Sequence, residues 1–463
     1  MKPLPSKNKS ENVTIRALDV YQDLLNLHYF LPHRYPFLLE SVAHGTPNAR
    51  YDILFGFPGD SLELSYDGHL SGFITPGGDP DFLGQLDAWW QSTTCSAGTS
   101  TLPFLGGWFV YLGYELAGQI EPSLQLPEDP WQRPIAVATR IPAAIIRDHQ
   151  LHHTFLIAES GQEALVEQME DDLKRLPEGE FASTVLKLEE LNEEDPQLYL
   201  AALGRIKQYI IDGDVFQVNL SRLWQGRCAD NTDASELYYA LRRHNPAPFA
   251  GLADFSDWAI ISSSPERLVK VKNSLVETRP IAGTRPRSDV PTTDNKNSRE
   301  LRAHPKERAE HIMLIDLERN DLGRVCLPGS VQVNELMTLE SYAHVHHIVS
   351  NVRGRLHPDI TPGQVIRAVF PGGTITGCPK VRCMEIIAEL EKSARGPYTG
   401  AMGYLNRDGS LDLNILIRTI VKKQNAIELR AGAGIVVDSI PIQELEETRA
   451  KARGLLLALG SDL

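Results

Sequence analysis

The stretch AMGYLNRDGSLDLNILIRTIVKKQ, residues 401–424, decides how the chain is read. Strand-like apolar runs flank Asp408–Gly409 on both sides, the pattern of two strands around a tight turn. Strands joined so closely are antiparallel, because a parallel pair needs a crossover of about a dozen residues or more. The pattern predicts one strand over AMGYLNRD and a second over LDLNILIRTIVKKQ. Just upstream, CPKVRCMEIIAELEK reads as a helix opened by Pro379, where a missing N–H costs little. Downstream, AGAGIVVDS (431–439) reads as a strand and QELEETRAKARGLLLALG as a final helix.

Further out the same two periods recur. A helix over YLAALGRIKQYIIDGD buries Leu200, Leu203, Ile206 and Ile210 on one stripe, and the alternating strand VFQVNLSRLWQG follows. Strands are expected near WAIISSSP and LVKVKNSLVETR, and a helix over KERAEHIMLIDLERN. The first 190 residues hold apolar runs broken by turns: YDILFGFPG (51–59), LELSYDGHLSGFITPGG (62–78) and GGWFVYLGYEL (106–116). Residues 136–158 read as two strands around RDHQ, and a helix follows that ends near Pro177. The acidic, irregular stretch 177–197 marks a boundary between an N-terminal part, 1–190, and a C-terminal part, 191–463. Hairpins mixed with separated helices give an α+β class rather than strict α/β alternation.

Composition narrows the function. With 463 residues the chain holds two or three units, or one large intertwined fold. Lys plus Arg number 46 against 60 Asp plus Glu, a formal net charge of -14 that argues against nucleic acid as partner. Five cysteines (95, 228, 326, 378, 383) lie scattered with no CxxC pair, which fits free thiols in a reducing cytoplasm. No run of about 18 apolar residues predicts a membrane span, and MKPLPSKNKSENVT lacks the apolar core of a signal peptide.

Several segments could carry chemistry. Glu307 and Glu310 in KERAEH, and Glu444 and Glu447 in QELEET, stand three apart, so each pair shares a helix face. Such pairs read either as solvated charged faces or, where two faces meet, as an oxygen-rich site for Mg²⁺. FPGGTITGCPK (370–380) reads either as a tight turn capping a helix or as a cradle of N–H groups for a carboxylate or phosphate. It is not a Walker loop, since no GK[ST] occurs. In AHVHHIVS, His344 and His346 share a face of an extended segment and His347 points away, so a zinc triad is a poor reading. His347 alone is either packed or a ligand contact. Arg418 and Lys451 are cations able to pair an anion, or surface ion-pair residues. Glu266, in SPER, stands at a strand edge where a general acid or base would fit.

Taken together and in order, FQVNLSR, SPER, TRPIAGTRPR, KERAEH, DLERNDLGRV, HHIVS, FPGGTITGCPK, GYL, IRT, GAGIVVDS and EETRAKAR resemble the chorismate-utilising enzymes. LLES (38–41) resembles the large subunits of anthranilate and aminodeoxychorismate synthases. The resemblance implies two packed β-sheets with outer helices, built as one intertwined unit. It implies Mg²⁺ held directly by Glu310 and Glu447 and through water by Glu307 and Glu444. Glu266 resembles the general acid that expels the C4 hydroxyl of chorismate. His347, Thr374, Tyr398, Arg418, Gly432, Gly434 and Lys451 match substrate-contacting positions. Glu40 and Ser41 match a tryptophan-holding segment, and so line a regulatory or vestigial pocket or serve structure alone.

Two positions speak to the reaction. Gln217 stands where water-adding relatives carry a lysine base, and an amide cannot be that base, which points to amination by ammonia. The family takes that ammonia from a separate glutamine amidotransferase chain. Ala282, in PIAGT, stands where aminodeoxychorismate synthases often carry a nucleophilic lysine; alanine closes that covalent route. Ala282 and Thr374 resemble the anthranilate branch, whereas FPGG, ITG and the modest length resemble the aminodeoxychorismate branch. The balance favours amination to 4-amino-4-deoxychorismate, with anthranilate formation as the alternative.

Overall fold

The hairpin at 401–424 divides differently from its sequence pattern. We describe a computed structural model in which residues 9–10, 12–42, 49–76, 79–96, 98–177, 188–230, 232–287, 290–341 and 345–461 are described. Ala401–Asn406 and Leu411–Ile415 pair antiparallel, with Met402 opposite Asn414. The second expected strand then breaks. Thr419–Lys423 resumes in a different sheet, between Trp258–Ser264 and Ala426–Ile435. Arg418, at the break, has φ 54°, a left-handed conformation that costs a non-glycine residue about 1–3 kcal/mol. Apolar residues run on through the break, Ile415, Leu416 and Ile417 followed by Ile420 and Val421, so the sequence pattern does not announce it.

The described strands form two antiparallel sheets of 13 and 11 strands. In the first, Val13–Leu18, His153–Glu159, Ala143–Asp148, Tyr51–Gly56 and Phe37–Glu40 lead into Phe249–Asp254 and Trp258–Ser264. Beyond Thr419–Lys423 and Ala426–Ile435 lie Gln217–Cys228 and Leu188–Glu193. In the second, Arg267–Lys272, Leu411–Ile415, Ala401–Asn406 and Gly107–Leu112 are consecutive neighbours. Both sheets therefore mix strands from either side of residue 190: Ala250 pairs with Glu40, and Gly403 with Val110. Ten residues of the expected boundary, 178–187, lie outside the described residues.

Alternation explains the layering. In Gly107–Leu112, Phe109 and Tyr111 face the other sheet, whereas Trp108, Val110 and Leu112 pack outward. Phe37 of the first sheet stacks on Phe109 of the second, ring centroids 4.0 Å apart. Outside the second sheet lie the helices Phe82–Thr93, Pro305–Gly323 and Pro362–Val369. Outside the first lie Ala234–His244 and Pro441–Ala458, and around its Gln217 end Pro196–Ile211 and Lys380–Glu391. The two expected strands of 136–158 are three, because Pro142 separates Ala136–Ile141 from Ala143–Asp148 and sends them to different sheets. Among the described residues no helix is long and apolar enough to cross a membrane.

Candidate active site

Two passages of the chain between the sheets lie side by side. At Ser264–Arg267 the chain leaves the first sheet for the second, and at Ile415–Thr419 it returns. The passages lock to each other. The Ile415 N–H donates to the Glu266 carbonyl at 3.0 Å, the Ser263 N–H to the Arg418 carbonyl at 3.0 Å, and the Ser264 hydroxyl to the Ile415 carbonyl. Each passage carries one charged side chain of the expected site.

Glu266 is only 6% exposed and accepts a hydrogen bond from Thr374 Oγ1 at 2.8 Å. Burial pushes its carboxyl up to about 7, although Thr374, the Ile281 backbone and the Lys451 and Arg418 cations all pull it down. Near neutral pH it can therefore hold or release a proton, as a general acid must. Ala282 follows Ile281 in the strand Ile281–Pro286, opposite Ile348, with only a methyl to offer.

The Arg418 guanidinium has no hydrogen bond or ion pair among the described residues. Burial lowers its pKa, opposed by the fields of Tyr398, Glu447 and Glu266. Tyr398 is buried, and burial pushes its phenol up to about 12. His347 is pushed down to about 4 by burial, against a hydrogen bond with the Gly283 backbone, so it is a neutral imidazole at physiological pH. His346 points the other way and is spent on Ser341 at 2.7 Å and Asp294 at 3.0 Å. His344 lies outside the described residues.

The neighbouring strands press close, which is why glycine stands at 432 and 434. A Cβ on Gly432 would lie 2.7 Å from Tyr398 Oη and 2.8 Å from Asn219 Oδ1; one on Gly434 would lie 2.6 Å from Gln217 Nε2. Lys451 Nζ donates to the Gly432 carbonyl at 2.9 Å and pairs with Glu447 at 2.6 Å. Glu266, Thr374, Tyr398, Arg418, Gly432, Glu447 and Lys451 are thus tied by contacts or mutual fields, with Gln217 beside Gly434.

The acidic pairs sit on their expected helices, Glu307 and Glu310 in Pro305–Gly323, Glu444 and Glu447 in Pro441–Ala458. Among the described residues no three acidic, histidine or cysteine side chains stand together as a ready metal cluster. The donor set still suits a hard cation, being all carboxylate oxygen. Glu307 Oε1 pairs with Arg285 at 2.6 Å, while its Oε2 is buried without a hydrogen-bond partner.

Glu40 and Ser41 line a separate cavity of about 290 Å³ between the sheets, with Phe249, Met402 and Asn414. Neither side chain is idle there. Glu40 accepts from Tyr238 at 2.7 Å and from Arg242 at 3.1 Å, and lies 3.6 Å from Arg147; Ser41 Oγ donates to the Pro248 carbonyl at 3.2 Å.

Two site residues escaped the sequence. Arg395, 2% exposed, ties together the segments that bear the site. It bonds Glu391 at 2.6 Å, the Asn219 carbonyl at 2.8 Å, and the Ile375 carbonyl and Thr399 Oγ1 at 3.2 Å, and lies over the Tyr398 ring at 5.5 Å. Asn219 was legible only through its place two residues after Gln217 in an alternating strand.

Residues 75–457 match the family described as chorismate binding enzyme. The chain is 41% identical over 400 residues to aminodeoxychorismate synthase component 1 of Bacillus subtilis, covering 82% of each. It is 39% identical over 466 residues to anthranilate synthase component 1 of Synechocystis, covering 92% of this chain and 91% of that one. The crystal structure of anthranilate synthase component I from Streptococcus pneumoniae superposes with TM-score 0.79 at 33% identity, covering 89% of this chain and 93% of that one. A matched span from 75 to 457, with relatives near 40% identity aligned along most of their length, places the chain in the chorismate-binding enzyme family.

Proposed function

We propose that the chain replaces the C4 hydroxyl of chorismate with an amino group from ammonia, giving 4-amino-4-deoxychorismate, the precursor from which a separate lyase makes 4-aminobenzoate for folate. The observation that carries the reading is Glu266, a buried carboxyl pushed up to about 7 within the field of the unpaired Arg418 guanidinium, in a site where Gln217, next to Gly434, is a neutral amide rather than a lysine. Arg418 is suited to a substrate carboxylate, since a charge-assisted bond would replace water it has already lost. Thr374 orients the Glu266 carboxyl, and Tyr398 and His347 offer polar contacts without charge. Glu266 gives its proton to the departing hydroxyl, which leaves as water while the carbon–nitrogen bond forms. Gln217 cannot take a proton from water, so hydroxylation lacks a base there.

Glu310 and Glu447, with Glu307 and Glu444 through water, would hold Mg²⁺. Bound there, Mg²⁺ supplies positive charge for a substrate carboxylate that an acidic chain otherwise repels. Glu310→Gln is expected to abolish turnover while leaving the fold intact. A glutamine amidotransferase chain would supply the ammonia, in the cytoplasm, where the five free cysteines stay reduced. The Glu40–Ser41 cavity is of a size for an amino acid, and tryptophan is the ligand to titrate by calorimetry.

Anthranilate formation is the second reading, favoured by the methyl at Ala282, which cannot attack C2, and by relatives of both kinds at similar identity. The test is to incubate the chain with chorismate, Mg²⁺ and ammonium, with and without the lyase. The proposal expects 4-aminobenzoate only with the lyase; anthranilate without it overturns the first reading.

A further inference from the structure

Two buried side chains in the site hold polar atoms with no partner. Gln217 is 7% exposed and Asn219 8%, and neither Gln217 Oε1 nor Asn219 Oδ1 has a hydrogen bond. Buried acceptors are almost always satisfied, so an unpaired one marks a place for a ligand or a water. Here there are two, two residues apart and so on the same face of one strand. The opposite face, Val218 and Leu220, is packed into core with Cys383 and Ile435.

Everything around the Asn219 amide is fixed. Its backbone N–H donates to the Thr376 carbonyl at 2.9 Å, and its carbonyl accepts from Arg395 at 2.8 Å. That leaves the side-chain amide held in place beside Gly432 and the Tyr398 hydroxyl, with nothing bonded to it. The turn that holds Asn219 through Thr376 also carries Thr374, which bonds Glu266.

The chemistry such a place recognises is a small molecule rich in hydrogen-bond donors. Two carbonyl-type oxygens accept two N–H bonds and leave the lone pair of ammonia free to attack. Both oxygens belong to neutral amides and the unpaired Arg418 guanidinium disfavours a cation nearby, so the neutral base rather than ammonium is the form that fits.

We infer that Asn219 and Gln217 together form the binding subsite for the ammonia nucleophile. This rests on the amination reading above. In the step, the nitrogen lone pair forms the carbon–nitrogen bond as the C4–oxygen bond breaks. The hydroxyl takes the Glu266 proton and leaves as water, and the surplus proton on nitrogen returns to the Glu266 carboxylate.

The test is steady-state kinetics with ammonium chloride as nitrogen source at fixed pH, varying ammonium and chorismate separately. Asn219→Ala should raise the KM for ammonium about three- to tenfold, the worth of one neutral hydrogen bond. The KM for chorismate should stay within twofold, which also reports an intact fold. If Asn219→Ala does not fold, Asn219→Ser, whose shorter side chain withdraws the acceptor, should show the same split. An unchanged ammonium KM, or a chorismate KM rising in step with it, overturns the subsite alone. Absence of any amine product from the wild-type chain overturns the amination reading instead.

Discussion

Replacing Glu266 by glutamine should make the protein more stable and inactive, with a gain that depends on pH in a calculable way. In the folded chain the carboxyl ionises near 7; in the unfolded chain it returns to its ordinary 4.5. Between those values the folded state binds more protons than the unfolded, so stability falls as pH rises from 4.5 to 7. At about 1.4 kcal/mol per tenfold, the full penalty is about 3 kcal/mol at pH 8. At pH 5 it is below about 1 kcal/mol. Glu266→Gln keeps the shape and removes the ionisation, while any loss of the Thr374 hydrogen bond is the same at both pH values. The difference between variant and wild type should therefore grow by about 2 kcal/mol from pH 5 to pH 8. Glu318, buried and pushed up partly by the charge on Glu266, adds in the same direction. The assay is urea unfolding at the two pH values. With m of about 3 kcal/mol/M or more for a chain this long, the midpoint gap should widen by up to about 0.7 M. An equal gap at both values, or a variant less stable at pH 8, would refute a Glu266 buried as an acid.

Two further substitutions test the frame around it. Arg418→Met removes an unpaired, largely desolvated charge, so the melting temperature should rise while the KM for chorismate climbs at least about tenfold, measured by scanning calorimetry and initial rates. Arg395→Ala leaves Glu391 buried without its guanidinium and frees the Asn219, Ile375 and Thr399 oxygens, and should cost about 3–5 kcal/mol in urea unfolding.

The elements were largely legible, their sheet membership was not. Helices such as Lys380–Glu391, opened by Pro379 at its N-cap, and Pro441–Ala458 follow from local signals. The strand 411–424 looks continuous because a run of apolar residues marks a buried strand, not its partners. Leaving one sheet for another at Leu416–Arg418 depends on contacts with Ser263 and Gly400, far away in sequence. The extra strand at Ala143 was missed for the same reason, although Pro142 was a visible breaker. Of the site, the residues belonging to motifs were legible as motifs, and their mutual placement was not. Arg395 and Asn219 act through backbone carbonyls and an empty bonding position, neither of which sequence displays.

The two passages between sheets couple charge at the site to the proton on Glu266. Arg418 faces Glu266 across them, and its field is one of the influences that lower the Glu266 carboxyl. An anionic substrate seated on Arg418 cancels that field, so binding should raise the Glu266 pKa above its value of about 7 in the free chain. The sign matters for catalysis: the acid becomes more firmly protonated at the moment a proton is needed. The alkaline limb of kcat/KM reports the free enzyme and should fall near pH 7, whereas the limb of kcat reports the complex and should lie at higher pH. Rates measured across pH 5.5–9.5 separate the two. In Arg418→Met the field is absent from the start, so the kcat/KM limb should itself lie at higher pH than in the wild type. A kcat limb at or below that of kcat/KM would mean that substrate binding leaves the Glu266 carboxylate as well stabilised as in the free chain, or better, and the assignment of Arg418 to the substrate carboxylate would fail.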